Sequence, residues 1–266
     1  MKMPTRRIDR QFSHSQLKEL IMFNYSTKEA CLNNKTILVT GAGAGIGRAA
    51  ALTYAKLGAT VILLGKTVSK LEAVYDEIMA LELCEPAIIP LDLKGATKQN
   101  YIDMSSTIAS QFGKLDGVLL NASVLGELTP FTQMHEQVFN DVMKVNVTAQ
   151  LLLAQTLIPT LLLAPNASLV FTSSGVGSKG RAYWGQYSIS KFATESLMQV
   201  IADEYEGTNL RTNAINPGAT NTNMRSCAFP AEDKDKLANP EDIMPLYVYL
   251  MSDDSVEING QTLKAQ

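Results

Sequence analysis

The chain has 266 residues, 46% of them hydrophobic and 18% charged. That length suits one large α/β unit, and the apolar share excludes a mostly disordered chain. A net charge of -3 argues against nucleic-acid and anionic-membrane partners.

Cys31, Cys84 and Cys227 are odd in number, scattered and without a CxxC pair. They speak against a disulfide framework and a Cys-based metal site, and fit a reducing cytoplasm. His14 and His135 stand far apart and suggest no metal site.

Residues 1–21 carry +3 and leave -6 on the remainder. No apolar run follows the basic residues, so this is not a secretory signal. An organelle transit peptide and a poorly ordered extension both fit, and the extension is the simpler reading. It leaves residues 22–266 as the single folded domain.

From residue 35 onward, short β-rich runs alternate with longer helical patterns. Strands are expected at Lys35–Thr40, Thr60–Leu64, Ala87–Leu91, Leu115–Leu120, Ser168–Phe171, Arg211–Ile215 and Thr262–Lys264. Helices are expected at Gly45–Leu57, Val68–Leu83, Thr97–Gln111, Thr132–Leu157, Tyr183–Glu206 and Pro240–Met251. Such alternation implies right-handed crossovers and a mostly parallel sheet covered on both faces. The strand runs are nearly continuous in apolar residues, as doubly buried parallel strands are. No charge falls between Lys144 and Lys179, but Asn146, Gln150, Gln155, Pro159 and Pro165 interrupt that stretch. It reads as a buried helix and strand, not a membrane span.

Ligands of such sheets bind beyond the carboxyl ends of the strands, where strand order reverses. Thr40, Gly41, Gly43, Gly45, Ile46 and Gly47 join the first strand to the first helix. Glycines there permit positive φ and bring backbone N–H groups close to a pyrophosphate at a helix N-terminus. The second strand ends on Gly65-Lys66, without the acidic residue that would bind the ribose 2′-hydroxyl of NAD. Lys66 instead suits a 2′-phosphate, hence NADP(H) over NAD(H). Asp92, beside Leu93 after the third strand, is either an acceptor for the adenine amino group or a turn residue.

Ser173-Ser174 follows the fifth strand, and Tyr187 and Lys191 stand four residues apart on one helical face. A phenol gives a proton to a carbonyl oxygen more readily when its pKa, ordinarily about 10, is lowered by a neighbouring ammonium. A serine hydroxyl can bond the same oxygen.

Together these motifs resemble the short-chain dehydrogenase/reductase family over residues 33–266. Thr40-Gly41-x3-Gly45-x-Gly47 matches TGxxxGxG, and Tyr187-x3-Lys191 matches YxxxK. Asn121-Ala122 matches two positions of NNAG, with Leu120 and Ser123 departing from it. Asn146 matches the helix Asn of the catalytic tetrad, and Ser174 stands at the family spacing before Tyr187. Gly180–Gly185, Lys191–Glu195 and Ala202–Tyr205 resemble the YciK-type members in particular.

The resemblance implies an α/β fold: a single Rossmann domain with a doubly wound sheet of about seven strands. It implies hydride transfer between NADP(H) and a carbonyl/alcohol pair, with Tyr187 as acid–base and Lys191 lowering its pKa and holding the nicotinamide ribose. Ser174 would orient the substrate oxygen, and Asn146 would hold a water linking Lys191 to solvent. Pro217, Gly218, Thr220 and Thr222 would complete the cofactor site, and a homodimer or homotetramer is implied. An alternative is a nucleotide-binding scaffold that has lost catalysis, against which the complete Ser-Tyr-Lys-Asn set speaks. Met224 and Phe229, with Arg225 meeting an anionic group, either line a substrate pocket or belong to a lid that packs on the body, and Trp184 is expected to face the substrate.

Overall fold

The structure is a computed structural model and describes residues 22–266; the basic extension at residues 1–21 lies outside the described residues. The β-branched and leucine-rich runs form the strands. These are β1 (Thr36–Thr40), β2 (Thr60–Gly65), β3 (Ala87–Pro90), β4 (Gly117–Leu120), β5 (Ala167–Thr172), β6 (Leu210–Asn216) and β7 (Thr262–Lys264). They make one seven-stranded sheet in the order β3-β2-β1-β4-β5-β6-β7, with every pair parallel.

Successive side chains of a strand point to opposite faces, and here both faces are buried. Ile37, Val39, Val61 and Leu63 enter one core, and Leu38, Ile62 and Leu64 enter the other. The first core is closed by α1 (Gly45–Lys56), α2 (Val68–Met79) and α8 (Met244–Met251). The second is closed by α3 (Lys98–Phe112), α5 (Ala149–Leu161) and α6 (Gly185–Glu204). The expected doubly wound, single-domain Rossmann sheet is thus present. Phe23 and Tyr25 pack their rings on Tyr249 at 5.3 and 5.2 Å and tie the first described residues to α8.

Several helices differ from the sequence expectation. The continuous helix expected over Thr132–Leu157 is a short 3-10 turn (Phe131–Gln133), α4 (Glu136–Met143), a π turn (Lys144–Thr148) and α5. Apolar spacing does not register one extra residue in a turn, so the break is invisible in the pattern. Expected α2 stops early because Glu82 adopts a left-handed φ of 53°, and α6 starts late because Tyr183 does so at 72°. The short helix α7 (Asn223–Ala228) was not expected; Thr222 caps it by accepting from the Arg225 N–H at 3.2 Å. Among the described residues the three cysteines are free, and no helix is long and apolar enough to cross a membrane.

Candidate active site

Strand order reverses at β1, which lies between β2 and β4. Two adjoining cavities of about 500 and 510 Å³ open there, beyond the carboxyl ends of the strands. Gly41, Ala44, Ala122 and Ser123 line both, so the two form one cleft.

The glycine loop floors this cleft. Gly41 and Gly45 hold left-handed φ values of 68° and 54°. A Cβ on Gly47 would sit 2.3 Å from the Gly41 carbonyl oxygen, so α1 can approach the loop this closely only through a glycine. Ile46 and Gly45 line the first cavity and Gly43 the second, while Gly47 is buried behind them.

Thr40 does not reach the cleft. Its hydroxyl oxygen accepts from the Asn121 and Ala122 N–H groups at 2.9 and 3.0 Å and donates to Leu119 at 3.2 Å. Asn121 Nδ2 donates back to the Thr40 carbonyl at 3.3 Å, and its Oδ1 accepts from Thr172 at the same distance. These two residues therefore lace together the ends of β1, β4 and β5. For Thr40 this is a correction: it braces the loop instead of lining the ligand space.

Lys66, Asp92 and Leu93 line the second cavity. Asp92 Oδ1 accepts from the Lys94 N–H at 3.1 Å, so the turn reading of this residue holds while its side chain faces the cavity. Lys70 joins Lys66 there, one turn into α2, and its Cβ would meet a Cβ on Gly43 at 2.9 Å. Sequence reasoning missed Lys70. A cation five residues past a strand end carries no signal until α2 folds back on the glycine loop.

The chemistry-bearing side chains converge in the first cavity. Tyr187, Ser174, Pro217, Gly218, Thr220 and Thr222 line it together. Ser174 and Ser123 line this cavity with Tyr187, and their hydroxyls favour the charged form of its phenol. Lys191 is fully buried behind that ring, its Nζ 5.5 Å from the ring centroid and donating to the Thr172 carbonyl at 2.7 Å.

Burial acts on both groups of this pair, and at Tyr187 it opposes the lowering expected from Lys191. Burial pushes the Tyr187 phenol up to about 12, more than the bonds from Ser123 and Ser174 pull it down. Burial pushes Lys191 down to about 8, against the attraction of Glu195. Loss of hydration disfavours both charged forms, and this outweighs any lowering of the phenol by the ammonium.

Asn146 occupies the π turn, a device that recurs at functional sites. Its Oδ1 accepts from the Val124 N–H at 2.8 Å, and its Nδ2 donates to the Val124 carbonyl at 2.9 Å and to Ser190 Oγ at 3.0 Å. Asn146 thus fastens the loop after β4 to α6, the helix that carries Tyr187 and Lys191.

The short chain dehydrogenase family model matches residues 35–233. The chain belongs to the short-chain dehydrogenase family. The uncharacterized oxidoreductase YciK of Escherichia coli K12 is 52% identical over 243 residues, covering 91% of this chain and 96% of that protein. A short chain dehydrogenase from Salmonella enterica serovar Typhi matches with a TM-score of 0.90 at 52% identity, covering 91% of this chain and all 100% of the other. Another, from Escherichia coli CFT073 and complexed with NADPH, matches at 0.89 and 52% identity, covering 90% and 100%. As a member of this family the protein is an oxidoreductase.

Trp184 joins Tyr187 in the lining of this dehydrogenase's first cavity. Trp184 stands edge-on to Tyr187 at 5.9 Å and packs on Phe229 at 5.6 Å. Met224 lines the same cavity, and Phe229 sits behind Trp184. Arg225 also lines it, but its Nε and Nη2 donate to the two carboxylate oxygens of Glu232 at 2.6 and 2.5 Å. This corrects the expectation that Arg225 awaits an anionic ligand: its bidentate face is already filled.

Proposed function

We propose that this dehydrogenase interconverts a carbonyl and an alcohol with NADP(H), using Ser174, Tyr187, Lys191 and Asn146. The observation that carries the reading is the placement of the Tyr187 phenol in one cleft with the glycine loop, with Ser174 at its hydroxyl and Lys191 buried behind its ring.

The second cavity fits a phosphorylated adenosine. Lys66 and Lys70 face it and no carboxylate ends β2, a donor set suited to a 2′-phosphate. The relative from Escherichia coli CFT073, complexed with NADPH, supports that choice. Asp92 has an oxygen for the adenine amino group, and Gly41, Gly45 and Ile46 present backbone to the pyrophosphate. Pro217, Gly218, Thr220 and Thr222 form the wall beside the nicotinamide. When bound, the nicotinamide supplies or accepts the hydride.

The remaining work is done by the chain's own groups. With a pKa of about 12, Tyr187 holds its proton at neutral pH and can give it to a carbonyl oxygen in reduction. Ser174 donates to the same oxygen and fixes its position. Lys191, protonated below about pH 8, offsets the phenolate charge left behind. Asn146 holds the π turn that keeps α6 in place.

Ile189, Phe192 and Val200 leave an apolar strip of α6 exposed, and Leu151 is exposed on α5. We place a homo-oligomer contact there, tested by light scattering at micromolar concentration. The three free cysteines fit a cytoplasmic setting. The reading as a whole is tested by titrating the purified protein with NADPH and with NADH while following nucleotide fluorescence. Tighter NADPH binding, with turnover of a model aldehyde, is the expected result. Binding of neither nucleotide overturns it.

A further inference from the structure

The substrate end of the first cavity has a charge pattern that its chemistry does not require. Among the described residues no Asp or Glu lines this cavity, and the charged ones that do are Arg225 and Lys234. Yet residues 22–266 carry a net charge of -6, so a cavity without carboxylates is not a reflection of composition.

Arg225 is neutralised by Glu232, as described. Arg181 is not. It is exposed, and among the described residues no carboxylate pairs with it. Its guanidinium carbon lies 5.4 Å from the centroid of Phe229 and 5.8 Å from that of Trp184. Its carbonyl accepts from the Trp184 N–H at 3.2 Å, so both residues ride on one tight turn ahead of α6. Trp184 in turn meets the ring of Tyr187. A line of rings therefore runs from the reacting phenol to an arginine whose fork has no partner.

Stacking on rings holds a guanidinium in place but leaves its five N–H donors unmet. Such a held fork matches a carboxylate in two parallel hydrogen bonds. A single fork balances one negative charge, which favours a carboxylate over a dianionic phosphate. We propose that the substrate is a flat, apolar carbonyl compound with a carboxylate at its far end. The body lies along Trp184, which lines the cavity, and Arg181, beside Trp184 at the edge of that lining, anchors the carboxylate. This rests on the oxidoreductase reading for the role of Tyr187.

The protein carries one tryptophan, Trp184, which makes binding visible without turnover. The probes are 4-carboxybenzaldehyde and methyl 4-formylbenzoate, which share ring and aldehyde and differ in charge. Each is titrated into the NADP⁺-saturated protein while Trp184 fluorescence is followed, and each is assayed for reduction by NADPH. The acid is expected to bind and react about 10- to 100-fold better than the ester, mostly through KM, the worth of a charge-assisted hydrogen bond. Arg181→Ala should collapse that ratio to near one, Arg181→Lys should restore part of it, and Arg181→Glu should invert it.

Equal affinity for acid and ester, or no Trp184 response to either compound, overturns the carboxylate site, and an acid preference that survives Arg181→Ala overturns Arg181 as its anchor in favour of Lys234. The two readings fail separately. Acid-selective binding without turnover sinks the reductase reading and leaves the anion site. Turnover without acid preference does the reverse.

Discussion

Ser173 Oγ donates to the carboxylate of Glu195, and the same carboxylate accepts from Thr262 Oγ1. The adjacent Ser174 lines the first cavity as Ser173 does, but among the described residues it has no carboxylate partner and its hydroxyl acts on the Tyr187 phenol. Two neighbouring serines thus take different tasks because their hydroxyls meet different partners. Ser173 ties β5 to α6 and, through Glu195, to β7.

These tasks predict opposite mutant behaviour. Ser173→Ala should cost about 1–3 kcal/mol of stability by leaving a buried acceptor short of a donor, with kcat close to wild type. Ser174→Ala should change stability by less than about 0.5 kcal/mol. Its kcat/KM should fall about 100-fold, as when a donor to a reacting oxygen is removed. Urea unfolding and steady-state kinetics on both variants check this. Equal loss of activity in the two would mean that Ser173 also touches the reacting centre.

Tyr187→Phe removes one hydroxyl from a buried ring and keeps its packing. Reduction should slow by about 100- to 10,000-fold, the range for a lost general acid. NADPH affinity, read by nucleotide fluorescence, should stay within about threefold, a difference of less than 1 kcal/mol. Joint loss of binding and turnover would make Tyr187 a structural residue and return weight to the scaffold alternative.

The pH dependence follows from Lys191. Burial sets its folded pKa at about 8, below its ordinary value of 10.5, so its ammonium is present below about pH 8 and lost above. That ammonium balances the phenolate formed when Tyr187 gives up its proton. The kcat/KM for reduction should therefore be level below about pH 8 and fall above it. Tyr187, with its pKa of about 12, contributes no titration in that window. A profile level to about pH 10 would place the balancing charge on another group.

Lys66 and Lys70 separate the two nucleotides. Lys66→Asp should weaken NADPH binding about 10- to 100-fold, the worth of a charge-assisted contact, while NADH binding holds or improves. Lys70→Ala should act in the same direction more weakly, because it removes a charge where Lys66→Asp reverses one. Parallel losses for both nucleotides would mean that these lysines support the loop and do not read the 2′-phosphate.

Local order in the chain settled much of this protein. Continuous apolar strands, alternating with helices at short spacing, specify a parallel sheet buried on both faces, and the seven strands lie where those runs stand. The glycine spacing after β1, the absent acid at the end of β2 and the four-residue step from Tyr187 to Lys191 depend only on neighbours in sequence. The tertiary fold decided what depends on distant groups. It placed Lys70 against Gly43, took Arg225 with Glu232 and left Arg181 beside Trp184 without a carboxylate among the described residues. It inserted the π turn at Asn146, where side-chain bonds to Val124 and Ser190 hold the helix break in place. It also set how far Tyr187 and Lys191 are desolvated, because solvation is lost only when the whole cleft closes around a side chain, and no run of residues states how much water will be excluded.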